Sequence, residues 1–239
     1  MNIIKSIYKT IAAGLVFAAL FSAPAEAATS VFILSNLAEA DIVTGNGQIT
    51  ITLIDKVVNP TSVTDNLSAF IFTTSVTPGS ESLTSSSAVE RSITGNGAGQ
   101  YADGANPVAT GWALAMNSAT TTLDVLGAGA VGPEHTITGS PDAGNAYSSA
   151  NGSINGNGAH NPFLDRTATF TLAATGVSSA TTILSAYFQF GTSDGANRSQ
   201  GTLSTPQAPL PASAAPEPAT YGMLSGGLLI LLGARKRRS

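Results

Sequence analysis

The sequence has no cysteine, only two histidines and one tryptophan among its 239 residues, and charged residues make up only 10% of it. Without cysteine the chain can form neither a disulfide framework nor a thiolate zinc site, and it has no thiol nucleophile. The scarcity of charge disfavours helical bundles, coiled coils and charge-driven disorder alike. Packing and strand pairing must therefore hold the fold together.

Basic residues are almost absent from the middle of the chain. Between residues 28 and 215, twelve acidic residues face four basic ones, a net charge of −8. Such a segment has no basic face with which to hold a phosphate backbone. We therefore expect no nucleic-acid partner.

The abundant residues are small and uncharged: 25 glycines and 55 serines and threonines. Among them lie short segments that alternate apolar and polar residues, separated by Gly, Asn, Pro and Ser clusters. Alternation occurs at 48–53, 112–116, 123–125, 168–172 and 184–190, and we add 31–34, 69–76, 89–93 and 135–138 as further strands. Period-two alternation is typical of strands with one apolar face. The pattern predicts an all-β body at residues 28–203, a single β-sandwich, jelly-roll or Ig-like, of about nine short strands.

The first 27 residues have the three parts of a signal peptide. Lys5 and Lys9 precede an apolar run at 11–21, and Ala25 and Ala27 are the small residues that a signal peptidase reads. We expect an N-terminal signal helix that signal peptidase removes before Ala28. The chain would then be exported across the inner membrane.

The other end of the chain changes composition twice. A Pro/Ala-rich linker at 204–215 leads to the motif Pro216-Glu217-Pro218, and an apolar stretch at 221–234 follows. That stretch predicts a C-terminal transmembrane helix that is marginal for permanent anchoring. A basic cluster then stops the helix and holds its end on the cytoplasmic side. The cluster consists of Arg235, Lys236, Arg237 and Arg238.

The order of motif, short apolar helix and basic end resembles the PEP-CTERM sorting signal of Gram-negative bacteria, with Pro216, Glu217 and Pro218 as the recognition motif. The resemblance covers residues 216–239 and the signal peptide, and only weakly the body. It implies processing by an exosortase, a transient membrane anchor, and delivery to the cell surface or the extracellular matrix. It also implies an association with exopolysaccharide and biofilm.

For the body we expect a structural or adhesive role and no catalysis. The first alternative is a carbohydrate-binding module, and a secreted hydrolase is a more distant one. Tyr147 and Trp112 are the residues most able to stack on a sugar, although the alternation around Trp112 favours a core position. The spacings of His135, His160 and the acidic residues match no metal motif, so we expect neither a metal nor a cofactor.

Two further segments require an interpretation. Residues 191–195 fit G-x-S-x-G, but no helix pattern follows Ser193 and both histidines come earlier, which argues against a nucleophile elbow. Residues 139–162 form a long stretch without a strand pattern, and loops of that length are usually functional or disordered.

Overall fold

The computed structural model describes residues 27–95 and 99–207, and this part of the chain is all-β, as predicted. It contains thirteen strands and a short 3₁₀ turn at Val63–Asp65. The strands are β1 (Ala28–Leu34), β2 (Ala38–Gly45), β3 (Gln48–Asp55), β4 (Leu67–Thr74), β5 (Glu81–Ile93), β6 (Tyr101–Asp103), β7 (Ala113–Asn117), β8 (Thr120–Asp124), β9 (Ile137–Thr138), β10 (Phe163–Ala174), β11 (Ile183–Phe190), β12 (Arg198–Gln200) and β13 (Thr202–Gln207).

Hydrogen bonds join these strands into one mixed sheet. Its main path runs β12-β11-β4-β9-β10-β3-β2-β1-β13, and β5, β6, β7 and β8 branch from it. Among the described strands, β9 and β10 pair in parallel and the other pairs are antiparallel.

The two ends of this path are neighbours in sequence, because only Gly201 separates β12 from β13. An added Cβ at Gly201 would lie 2.7 Å from the Phe188 ring of β11 and 3.4 Å from Phe32 of β1. The sheet therefore folds back on itself, and glycine is required where its ends meet.

The main core collects the inward residues of the alternating strands. In β3, for example, Ile49, Ile51 and Leu53 are fully buried, and the residues between them are half-buried. Aromatic residues fill the centre, where the rings of Trp112 and Phe170 lie 5.2 Å apart. Each fully buried large apolar side chain contributes about 1.5–3 kcal/mol of transfer free energy, so the core is the main source of stability.

The segment at 139–162 is an ordered loop with its own small core. Tyr147 and Ile154 are buried there against Val63, Ile93 and Phe163. The loop starts at a close backbone crossing, where the Ser140 amide donates to the Val57 carbonyl oxygen at 3.0 Å. Buried side chains and backbone hydrogen bonds thus order a segment that contains no strand.

Several strand boundaries differ from the sequence prediction. β2 was not predicted, because two of its inward residues, Ala38 and Ala40, contrast weakly with their neighbours. Of the segment predicted at 135–138 only Ile137–Thr138 is a strand, since His135 has a φ of 69°. Strands β6, β12 and β13 were also missed.

The predicted boundary between body and linker at residue 203 is corrected, because β13 continues to Gln207. Pro206 lies in this strand, and the pairing with β1 shifts register between Thr29 and Val31. Proline lacks an amide donor and is accepted at edge strands and bulges.

In the described part of the chain no helix has the length and apolar character needed to cross a membrane. The predicted signal helix at 1–27 lies outside the described residues except for Ala27, and the predicted C-terminal helix lies wholly outside them.

Candidate functional site

Most of the predicted sorting residues lie outside the described ranges, namely Ala25, Pro216, Glu217, Pro218, Arg235, Lys236, Arg237 and Arg238. At the predicted signal cleavage site, Ala27 is exposed and Ala28 is the first residue of β1.

Tyr147 lies in the interior of the protein. Its side chain is 1% exposed, and its hydroxyl donates to the Gly139 carbonyl oxygen at 2.8 Å and accepts from Arg91 Nη1 at 2.9 Å. The rings of Tyr147 and Tyr101 pack edge to face, with their centroids 5.6 Å apart. Burial raises the pKa of Tyr147 to about 12.

Arg91 of β5 is the centre of this cluster, and its side chain is only 6% exposed. Its Nε and Nη2 donate to the two carboxylate oxygens of Asp103 at 2.6 and 2.8 Å, and Nη1 lies 2.8 Å from Asp165 Oδ1. The guanidinium also lies 4.1 Å from the centre of the Tyr101 ring. One side chain thus holds β5, β6, β10 and the 139–162 loop together.

The predicted glycan contacts at Tyr147 and Trp112 are corrected, because neither ring has a free face. Trp112 is 4% exposed and donates through Nε1 to the His135 carbonyl oxygen at 2.9 Å. Its position confirms the expected core role. For Tyr147, the sequence could not show that Arg91 and Tyr101 would cover an aromatic residue in a polar loop.

The histidines and their acidic neighbours are dispersed. His135 Nε2 contacts Glu90 Oε1 at 3.0 Å, while His160 Nδ1 contacts the Ser153 carbonyl oxygen at 2.7 Å. Within residues 27–95 and 99–207 no group of three or more His, Asp or Glu side chains is placed to hold a metal ion.

The G-x-S-x-G segment forms a loop fastened by Gln189, a fully buried residue of β11. The Gln189 amide oxygen accepts from the Gly195 amide at 3.1 Å, and its nitrogen donates to the Ser193 carbonyl oxygen at 3.4 Å. No histidine contact to Ser193 occurs among the described hydrogen bonds. The segment holds Asp194 above the sheet.

Five strands in the order β7-β8-β4-β11-β12 form a sheet face on which most side chains, apart from Ile71, are small or polar. Because side chains alternate between faces, the pairing register places them in rows across the strands. The first row is Ala113, Asp124, Ala69, Gln189 and Arg198; the second is Ala115, Thr122, Ile71, Tyr187 and Gln200; the third is Asn117, Thr120, Thr73 and Ser185. We call these rows the polar face.

The opposite face of the same strands is apolar and packs on the main core. It contributes Leu123, Phe70 and Phe188, which are fully buried. On the polar face, by contrast, Tyr187 is 36% exposed and Ala115, Asn117 and Gln200 are exposed. Ala69, Ile71 and Gln189 are buried, so the accessible part of the polar face lies on β7, β8 and β12 and at Tyr187.

A cleft of about 270 Å³ lies over the first two rows. We call it the Asp124 cleft. Asp124 and Thr122 line it together with Ala113 and Ala115, and it is also lined by Gly127, Ala128, Asp194 and Arg198. Arg198 is held in place because its Nε donates to Gln189 Oε1 at 2.8 Å, and its Nη2 lies 3.8 Å from Asp194 Oδ1.

Asp124 is the buried acid of the cleft, with 6% of the residue exposed. The Leu126 amide donates to its Oδ1 at 2.6 Å and fixes the carboxyl group. Burial raises the pKa of Asp124, and the nearby charge of Asp194 adds to the effect. The cleft therefore combines a fixed acceptor, an exposed second carboxylate and one guanidinium.

Scans against protein-family models, curated proteins and solved structures found no match to this chain. The site must therefore be interpreted from its own geometry.

Sequence reasoning missed the Asp124 cleft. Asp124 lies inside the predicted strand 123–125, while Asp194, about seventy residues later, belongs to a segment noted only for its serine motif, and Arg198 follows that segment. Their meeting depends on the pairing of β8 with β4 and of β4 with β11. The one local signal was the polar cluster Asp194 to Arg198 directly after an apolar strand.

The buried carboxyl groups predict how stability changes with pH. Burial raises the pKa of Asp55 well above its ordinary value, and it also raises the pKa of Glu81, Asp124 and Asp165. These groups hold protons in the folded state at a pH where the unfolded chain has lost them, so unfolding releases protons from about pH 4 upward. The free energy of unfolding should therefore fall as the pH rises above about 4, where carboxyl groups of the unfolded chain lose their protons.

Urea midpoints at several pH values test this prediction, and Asp55→Asn should flatten the slope. Asp142 works in the opposite direction, because hydrogen bonds, chiefly the one from the Ser148 hydroxyl, lower its pKa. A midpoint that rises steadily from pH 4.5 to 7.5 would show that the buried carboxyl groups do not dominate.

Proposed function

We propose that this chain is an exported protein of structural or adhesive type at the cell surface or in the extracellular matrix of a Gram-negative bacterium. Signal peptidase removes residues 1–27, and an exosortase processes the tail after a transient stay in the membrane. The mature body then associates with exopolysaccharide or biofilm, without catalysing a reaction.

One structural observation carries the matrix part of this proposal: the polar face. Its accessible side chains include Asn117, Thr122, Tyr187 and Gln200, and the other side of the same sheet packs on the core. Such a surface offers many neutral hydrogen-bonding groups over an extended area, which suits contact with a hydroxyl-rich polymer. The sequence of the two ends supports the export and sorting part.

A sandwich, jelly-roll or Ig-like, is our proposal for the finer architecture. The return of the sheet on itself at Gly201 and the single main core support it.

The sorting motif gives the test of the proposed function. Pro216 and Pro218 fix the backbone on both sides of Glu217 in an extended form, which makes Glu217 the side chain presented to a protease. Wild-type protein should lose its last 20 or so residues and reach the surface or matrix. Glu217→Ala, or deletion of Arg235 to Arg238, should leave an unprocessed form in the membrane fraction on immunoblots of the native host.

Normal trimming and export of the Glu217→Ala protein would refute the sorting proposal and leave a plain membrane anchor. Ala219→Ser, next to the motif, serves as the matched control and should be processed like wild type. Mass spectrometry of the exported protein should also find Ala28 as its first residue.

The second candidate function is a carbohydrate-binding module, and the Asp124 cleft is the observation that favours it. The cleft contains two carboxylates, Asp124 and Asp194. A secreted hydrolase would also need an acid pair, so release of reducing ends from a polysaccharide substrate is the measurement that separates it from a binding module.

A further inference from the structure

We propose that the Asp124 cleft binds one sugar unit of a neutral polysaccharide, with the polar face guiding the neighbouring units. This inference rests on the proposed function and deepens it, because it names the ligand class and the residues that contact it. Four observations carry the argument: the charges of the cleft, its size, the fixed positions of its polar groups, and the surface around it.

The charges of the cleft favour an uncharged ligand. Two carboxylates and one guanidinium line it. A calcium ion prefers six to eight oxygen ligands, and here the Arg198 guanidinium would repel it. An anionic sugar such as a uronate would face the carboxylates of Asp124 and Asp194. A neutral ligand avoids both conflicts.

The hydroxyl groups of a sugar can form hydrogen bonds with both carboxylates and with the guanidinium of the cleft. A carboxylate only accepts hydrogen bonds and a guanidinium only donates them. A sugar supplies both partners, because each hydroxyl can donate to Asp124 or Asp194 and accept from Arg198. Hydrogen bonds to charged groups are stronger than those between neutral groups, so the cleft discriminates against ligands that lack the hydroxyl.

The size of the cleft limits how much of the ligand it holds. Its volume of about 270 Å³ is below the roughly 300–1,000 Å³ of pockets that enclose drug-sized ligands. The methyl groups of Ala113 and Ala115 line it in place of larger side chains. The cleft therefore takes one small unit, and the rest of a polymer must lie outside it.

The polar groups of the cleft are fixed before a ligand arrives. The Leu126 amide holds Asp124 through Oδ1. Gln189 holds both Arg198 and the loop that carries Asp194, through hydrogen bonds at 2.8 and 3.1 Å to its Oε1. Preorganised groups lose little conformational entropy on binding.

Beside the cleft, the second row of the polar face continues across the strands from β8 to β11. Thr122 and Tyr187 belong to the same row and are separated by β4, which places them about 10 Å apart at two strand spacings. Tyr187 is 36% exposed, whereas Tyr147 is 1% exposed. It is the aromatic side chain of this row on which a second sugar unit would stack.

The test uses the mature full-length protein purified from its producing cells and native gels that contain a defined polysaccharide. The neutral probes are dextran, galactomannan and a mixed-linkage β-glucan; alginate and chitosan are the anionic and cationic comparators. Wild-type protein should be retarded by at least one neutral probe, and the retardation should persist in EDTA.

Three variants locate the binding site. Asp124→Asn keeps the shape of the cleft and should weaken binding at least tenfold, and Asp194→Asn should weaken it severalfold. Ala115→Trp fills the cleft from an exposed position and should abolish binding. The matched control is Glu39→Gln. Glu39 is a carboxylate on β2 that pairs with Lys56, and the variant should bind like wild type.

The proposal is overturned if no neutral probe retards the wild type, if alginate or chitosan binds in preference to all three, or if Ala115→Trp and Asp194→Asn bind like wild type. Asp194 is 65% exposed, so its variant reports on binding even if Asp124→Asn is unstable.

Lack of retardation by a protein that still reaches the matrix refutes the ligand proposal alone. An unprocessed wild type that is nevertheless retarded refutes the sorting proposal alone.

Discussion

Replacing Arg91 with methionine should lower the free energy of unfolding by about 3 kcal/mol, because it removes one partner of a largely buried ion pair. Asp103 and Asp165 would lose the cation that both contact, and the Tyr147 hydroxyl would lose a donor. The pKa of Asp165 is already raised by burial, and without Arg91 its charge is less favourable still. Urea denaturation followed by tyrosine fluorescence measures the loss.

The control for this prediction is Lys56→Met. Lys56 pairs with Glu39 at 2.9 Å, but its side chain is 34% exposed. Exposed ion pairs contribute roughly 0–1 kcal/mol, so the control should be nearly neutral. Arg91→Lys should fall between the two, because one ammonium cannot reproduce the two-point contact with Asp103. Equal losses in Arg91→Met and Lys56→Met would show that the cluster does not hold the loop.

Gly139→Ala should destabilise the protein by about 3 kcal/mol or more, since the added methyl group has no space. Its Cβ would lie 1.9 Å from the Val57 carbonyl oxygen and 3.1 Å from Asp55 Oδ1. Moving the backbone apart would break the hydrogen bond from Ser140 to Val57 and disturb the buried Asp55 carboxyl group, which accepts from the Val57 amide at 2.9 Å.

Gly152→Ala in the same loop is the matched control. No atom lies within 4 Å of an added Cβ there, and no positive φ would strain it. Its melting temperature should stay the same or rise slightly, because alanine restricts the unfolded chain. A similar fall in both variants would mean that the loop tolerates no substitution at all and that the Val57 contact is not the cause.

The strands that sequence reasoning predicted are those whose inward residues are large. Phe188 in β11 and Ile51 in β3 contrast strongly with their polar neighbours, and both strands were predicted with small errors at their ends. The inward Ala40 of β2 gives no such contrast, and that strand was missed. The all-β class therefore followed from local patterns, whereas the sheet order depends on pairings between distant segments.

The candidate site was less predictable for the same reason. Tyr147 appeared suitable for sugar stacking because it lies in a polar loop, but the structure covers it with Arg91, which is far from it in sequence. Asp124 and Asp194 lie seventy residues apart in the sequence, and strand pairing places them in one cleft. A chemical site assembled from separate strands leaves no contiguous motif.

The pairing of β1 with β13 joins the first described strand to the last, with Thr29 opposite Gln207. If the chain crosses the membrane from its N-terminus, as proposed, this pairing can form only after residue 207 has emerged. Until then one edge of β1 has unpaired amide and carbonyl groups, which favour aggregation. Folding after export should therefore have a late step whose timing is set by translocation of the last strand.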